Sequence, residues 1–258
     1  MWQITRYHPR FADTAELAAK PRCLLLSGWS MNADVFAPLL PGLAQRFDVY
    51  QANWQPPNHG SLNEAVALLG QQIEQPIWLI GWSLGGNIAI ALANQKPDAV
   101  LGVMTCATTP VFVKHHHESL GMPKTTFTAF YQHMACTNGH DGLTRFDALQ
   151  MQGDIHHMQG RRALKAYRKQ QQPWAHAALM HTLGWLEHLE QTQHYRQITV
   201  PVLALFAVND AMVNADTARE ITTLNPLISP HVLPDASHAC IITHTQAVLL
   251  HCFNWINH

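Results

Sequence analysis

Residues 76–86, PIWLIGWSLGG, leave few folds open to this chain. Ile77 to Ile80 is a short apolar run that reads as a buried strand, and it enters a Gly-x-Ser-x-Gly turn from Gly81 to Gly85. Asn87 to Asn94, apolar nearly all round, then reads as a helix that must itself be buried. A sharp strand-to-helix turn of this kind holds its central serine in strained backbone geometry, and its glycines leave room for close approach. Ser83 is therefore the candidate nucleophile. A plain structural turn could carry the same five residues, so the strand before and the helix after give the motif its weight.

Further apolar runs bounded by turn residues recur at 23–26, 47–50, 100–104 and 202–208. Between them lie helical periodicities, such as Leu62, Ala65, Val66, Leu69 and Ile73 over 61–74. A closing helix carries Val248, Leu249, Cys252, Phe253 and Ile256 on one stripe. Strands alternating with helices predict an α/β protein with a mostly parallel sheet covered on both faces. The alternation stops between about Thr109 and Gln193, where the spacing is helical. The expected organisation is a core of residues 1–109 and 194–258 with a helical cap inserted at 110–193.

A serine hydroxyl is a weak nucleophile at neutral pH and needs a base held by an acid. In the α/β-hydrolase fold these follow the serine in the order acid, then histidine. Residues 202–208 form a buried strand that leads to Asp210, and 230–234 a short strand that leads to His238. There are 18 histidines, and position alone selects His238, after the last strand and before the terminal helix. Asp235 competes for the role of acid, but three residues from the base it faces away from the imidazole. The candidate triad is Ser83, Asp210 and His238. Upstream, the run CLLLSGWS at 23–30 is a strand ending in a glycine turn, placed to supply one oxyanion donor; the Leu84 N–H, at the positive end of the elbow helix, supplies the second.

Composition narrows the partners. The chain is 47% hydrophobic and 13% charged, against roughly 25% charged in an average domain, which excludes a disordered protein. Sixteen basic against 17 acidic residues give no global field for nucleic acid or an anionic membrane. Five scattered cysteines without CxxC spacing suit a reduced compartment. With no signal-like or membrane-spanning run, a cytoplasmic location is expected. His115, His116 and His117, and the pair His156 and His157, are adjacent residues that cannot all face one ion, so no metal is expected.

The runs LLLSGWSMNADVF at 24–36, GWSLGG at 81–86, RFDALQ at 145–150 and RALK at 162–165 resemble the pimeloyl-[acyl-carrier protein] methyl ester esterase family of biotin synthesis. The elbow is shared by many hydrolases, and the cap stretch RFDALQ is the more specific part. The resemblance implies a carboxylesterase that removes the methyl group from a pimeloyl ester held on an acyl-carrier protein, without metal or organic cofactor. It implies the same triad, Trp29 and Leu84 at the oxyanion and acyl site, Phe146 as an apolar cap residue over the substrate, and Arg145 and Arg162 facing the carrier. Ser27 stands where most members have His, which leaves the backbone donor intact. Asp141 and Met158 occupy cap positions that can be basic, which leaves the carrier footprint less defined.

The charge of the cap points the same way. Arg145, Arg161, Arg162, Lys165, Arg168 and Lys169 crowd one segment, and no acidic residue occurs from 155 to 186. Arg161, Lys165 and Arg168 recur at i, i+4 and i+7, which aligns them on one helix face. A solvated basic face is one reading; a docking patch for an acidic carrier and its phosphate is the other. Rival functions on this fold are a general short-chain carboxylesterase acting on small esters, a carbon–carbon bond hydrolase, and a ligand-binding protein with little turnover.

Overall fold

The computed structural model describes residues 1–9, 17, 19–56, 59–114, 121–137 and 140–257. His115, His116 and His117 lie outside the described residues. Among the described residues, seven strands form one sheet in the order β1-β3-β2-β4-β5-β6-β7. They are β1 (Trp2–Arg6), β2 (Arg22–Leu26), β3 (Asp48–Trp54), β4 (Ile77–Trp82), β5 (Val100–Cys106), β6 (Val202–Ala207) and β7 (Ile228–Leu233). All neighbours run parallel except β1, which pairs antiparallel with β3. The apolar runs explain this: β2, β4, β5 and β6 are buried nearly throughout, as strands covered on both faces must be.

The strand β1 is an addition to the sequence reading. Its five residues alternate buried and exposed positions at a sheet edge, so no continuous apolar run marks it. Trp2 anchors it by stacking on Trp54, with ring centroids 5.1 Å apart, and by donating its indole N–H to the Ala65 carbonyl at 2.8 Å.

The helices of the core are α1 (Leu40–Leu43), α2 (Leu62–Gly70) and α3 (Leu84–Gln95). Ser61 starts α2 by accepting from the Glu64 N–H while Glu64 accepts from the Ser61 N–H, a reciprocal cap. The helix stops at Gly70, short of the expected Glu74. Helix α3 is buried from Leu84 to Ala93, which accounts for its lack of a polar face.

Among the described residues, five helices separate β5 from β6: α4 (Lys124–Cys136), α5 (His140–Gln150), α6 (His157–Gln170), α7 (His176–Glu187) and α8 (Thr192–Gln197). Val111 pairs with Glu190, and the Gln191 N–H donates to the Pro110 carbonyl at 2.8 Å, so the chain leaves and re-enters the core side by side. The expected boundary at 193/194 falls inside α8, whose Tyr195 is buried. Helices α9 (Thr217–Thr222), α10 (Cys240–Thr243) and α11 (Thr245–Ile256) complete the chain.

The register sets where chemistry can occur. Leu26 lies opposite Gly81, Trp82 opposite Cys106, and Ala207 opposite Leu233, so these strands end along one rim. Ser83 follows β4 there, Asp210 follows β6 and His238 follows β7. Ligand sites of open parallel sheets form outside the carboxyl ends of the strands.

Candidate active site

The elbow is compressed backbone. Ser83 has φ 54° and ψ −124°, a region a non-glycine residue enters only when its surroundings force it. Its N–H donates to the Cys106 carbonyl at 2.9 Å, and the Thr108 hydroxyl reaches its carbonyl at 3.1 Å, so β5 holds the turn. A Cβ on Gly85 would collide with the carbonyls of Leu26 and Ser27. Because backbone cannot move aside as a side chain can, Gly85→Ala is expected to destabilise the fold by at least about 1–3 kcal/mol, measurable as a lowered Tm. An unchanged Tm would mean that the elbow tolerates a shift away from β2.

Three distant residues meet on this turn. His238 Nε2 lies 3.0 Å from Ser83 Oγ, and His238 Nδ1 lies 2.8 Å from Asp210 Oδ2. The side chains of His238 and Asp210 are 1% and 0% exposed. The other carboxylate oxygen of Asp210 accepts from the N–H groups of Met212 and Val213 at 2.8 and 2.9 Å. Those bonds suit the ionised carboxylate, an acceptor only, so the proton between it and the ring belongs on Nδ1. Nε2 then faces Ser83 with its lone pair, and the hydroxyl donates to it. Trp82 fixes the base from the other side, its indole N–H donating to the His238 carbonyl at 2.8 Å. Asp235 is exposed, at a positive φ of 57°, and its carbonyl accepts from the Ile155 N–H.

Other nucleophiles nearby are silent. A hydrogen bond with Cys240, then burial, raises the Cys106 thiol well above its ordinary value, and burial pushes Cys252 up to about 12. Both stay protonated thiols at neutral pH.

The loop after β2 lies against the nucleophile: a Cβ on Gly28 would stand 3.1 Å from the Ser83 Cβ. The backbone N–H groups of Trp29 and Leu84 have no hydrogen-bond partner among the described residues. Buried N–H groups are nearly always paired, so two free donors flanking a serine are what a developing oxyanion would use. The Trp29 ring is turned away, its indole N–H bonding to the Leu179 carbonyl and the Thr182 hydroxyl of α7 at 3.2 and 3.0 Å. It packs in T-shaped contacts with Phe146 of α5 and Phe130 of α4, with centroids 5.1 and 6.1 Å away.

Beyond these aromatics, α4, α5 and α6 enclose a cleft of about 830 Å³ lined by Phe130, Phe146, Leu149 and Met151, with Arg145 and Arg161 among its polar lining residues. Neither Ser83 nor His238 lines it; Phe130 and Phe146 do, and both pack on the Trp29 ring. A second groove of about 710 Å³ runs along α6, bordered by Arg161, Arg162, Lys165 and Lys169, all exposed, with Leu143, Trp174 and Leu179 beneath. Among the described residues, no three His, Cys, Asp or Glu side chains cluster as a metal site requires, and no helix is long and apolar enough to cross a membrane.

The profile of the alpha/beta hydrolase family matches residues 23–249. A pimeloyl-[acyl-carrier protein] methyl ester esterase from Shewanella woodyi is 30% identical over 244 residues, which cover 91% of this chain and 93% of that one. The protein of the same name from Nitrosomonas europaea is 28% identical over 242 residues, covering 91% and 94%. The chain belongs to the pimeloyl-[acyl-carrier protein] methyl ester esterase family of alpha/beta hydrolases. The fold extends to solved structures of much lower identity. An esterase from Exiguobacterium antarcticum superposes with a TM-score of 0.83 at 13% identity, over 100% of this chain and 96% of that one.

Within this family member, one residue of the expected docking face is tied into the fold. Arg168 is only 14% exposed, and its guanidinium is taken up by Asp147 and Ser30 inside the fold. It borders the same groove as Arg161 and Lys165, as their spacing expects, but it lies one turn beyond the buried Gly160 and Leu164, which draws its guanidinium inward. Sequence reasoning also passed over Asp154. Its buried carboxylate accepts from the Ser237 N–H and hydroxyl and from the Thr243 hydroxyl, which ties the histidine loop to the segment between α5 and α6. Asn209, beside the acid, donates to the Gly153 carbonyl of the same segment at 2.9 Å. No local pattern announces such contacts, since each joins residues far apart in the chain.

Proposed function

We propose that this carboxylic ester hydrolase cleaves the methyl ester of a pimeloyl group carried on acyl-carrier protein, with Ser83 as nucleophile, His238 as base and Asp210 as its orienting acid. The relay from Asp210 through His238 to Ser83, at 2.8 and 3.0 Å, is the observation that carries the chemistry. Family membership supports the substrate. His238 takes the Ser83 proton as Oγ attacks the ester carbonyl, and the charge that develops on the carbonyl oxygen falls to the N–H groups of Trp29 and Leu84. His238 returns the proton to the departing methanol. Water then attacks the acyl-enzyme by the same route and releases the free carboxylate. Each step uses groups of this chain and water alone.

In this reading residues 110–193 act as a cap. The apolar acyl chain lies against Phe146 and Phe130, and Arg145, Arg161, Arg162 and Lys165 meet the acidic carrier and its phosphate. Such contacts act on encounter rate and are screened by salt. Charge reversal at Arg145 and Arg162 is expected to lower kcat/KM on the carrier-bound ester by about tenfold at low salt, and to leave p-nitrophenyl ester hydrolysis within about twofold. Equal losses on both would remove the docking role. The substrate itself is tested by growth: the chain should restore biotin-independent growth to a bacterium lacking its own pimeloyl ester esterase. Failure to grow, with purified protein active on small esters, would point instead to the general carboxylesterase.

A further inference from the structure

Ser30 follows Trp29 directly and sits at φ 65°, in the left-handed region that a serine adopts only when held there. Within the turn the Met31 N–H reaches the Gly28 carbonyl at a long 3.2 Å, and the Ser27 hydroxyl donates to the Met31 carbonyl at 2.6 Å; neither bond holds Ser30 itself. The inserted segment supplies the bonds to Ser30. Arg168 donates through Nη1 to the Ser30 carbonyl and through Nη2 to the Ser30 hydroxyl oxygen, both at 3.1 Å. Gln171 donates to the same carbonyl at 2.9 Å, and its side-chain oxygen accepts from the Asn32 N–H. Arg168 is itself fixed by Asp147 of α5, with Nε 2.7 Å and Nη2 2.6 Å from its carboxylate oxygens. Ser30 is 1% exposed, so water cannot take over these bonds.

We infer that Asp147 and Arg168 are positioning residues that hold the Gly28–Ser30 turn and so aim the Trp29 N–H at the oxyanion. The inference rests on the reading of Ser83 as nucleophile and of that N–H as an oxyanion donor. A planar guanidinium suits the task because its donors lie in one rigid fork, reaching a carboxylate on one side and a carbonyl and hydroxyl on the other. It also couples the site to the helices above it: α5 and α6 must be seated for the turn to keep its shape.

The role differs in its readout from carrier docking, which acts on the carrier-bound ester alone. Arg168→Gln is expected to lower kcat about 10- to 100-fold, as misplacement of a reacting group does, with KM little changed and with the same factor on p-nitrophenyl acetate and on the carrier-bound ester. Ser30→Gly in the Arg168→Gln background should recover part of that loss, because glycine adopts a positive φ unaided. A general weakening of the fold would not be rescued in this way. Should Arg168→Gln not fold, Arg168→Lys carries the same comparison, since it keeps the charge pair but cannot reach Asp147 and both Ser30 oxygens together. A loss confined to the carrier-bound ester, unchanged kcat on both esters, or no recovery with glycine would each overturn the inference. Ser83→Ala, assayed alongside on p-nitrophenyl acetate, separates the cases: if that variant keeps its activity, the nucleophile assignment fails rather than the clamp.

Discussion

Ser83→Ala is expected to lower kcat for p-nitrophenyl ester hydrolysis by about 10⁴–10⁶-fold while the protein stays folded. The two parts of this expectation have separate grounds. Loss of Oγ removes the atom that lies 3.0 Å from His238 Nε2, so no covalent acyl-enzyme can form, while the N–H groups of Trp29 and Leu84 remain to polarise the ester. The rate that survives belongs to attack by water at a site still able to bind and polarise the ester. The fold, in contrast, depends on the backbone of residue 83 through its bonds to β5, and alanine keeps these. Circular dichroism and Tm close to the parent, with activity lost, is the required pair of results. A folded variant that retained most of its activity would deny Ser83 its role.

Why this much could be read from the sequence follows from what each feature depends on. The elbow is local: a strand, a turn that excludes side chains and a helix without a polar face occupy consecutive residues, and each has its own pattern. Asp210 and His238 are not local to Ser83, but each immediately follows a buried apolar run, and parallel strands end at a common rim. Chain order was therefore enough to bring them together. The strand β1 escaped because an edge strand with one wet face has no apolar run to mark it. Arg168 does share the groove of Arg161 and Lys165, but its ties to Asp147 and Ser30 were not legible, because helical spacing says which residues share a face but not how close the core lies to it. That is decided by where α6 packs, and through it Arg168 reaches Ser30, 138 residues away. Asp154 escaped similarly, its partners Ser237 and Thr243 lying 83 and 89 residues on.

The second large effect is expected at Asp210, and there the choice of substitution matters. Asparagine retains the shape, and its surroundings dictate how it sits. The N–H groups of Met212 and Val213 both point at one side-chain oxygen, so the amide oxygen must take that place. The amide nitrogen is then left facing His238 Nδ1 at the 2.8 Å now spanned by the carboxylate. As a donor it can be satisfied only by a lone pair on Nδ1, which moves the ring proton to Nε2, toward Ser83. The base is thus occupied before the reaction begins, and no negative charge remains to stabilise the imidazolium. Asp210→Asn is expected to lower kcat about 10⁴-fold with KM nearly unchanged, and to shift Tm little because every donor keeps a partner. Asp210→Ala would leave two buried N–H groups and Nδ1 unpaired, lowering stability together with activity. If Asp210→Asn lost less than tenfold in kcat, His238 would have to be oriented by another group, and the relay assigned to these three residues would be wrong at its first link.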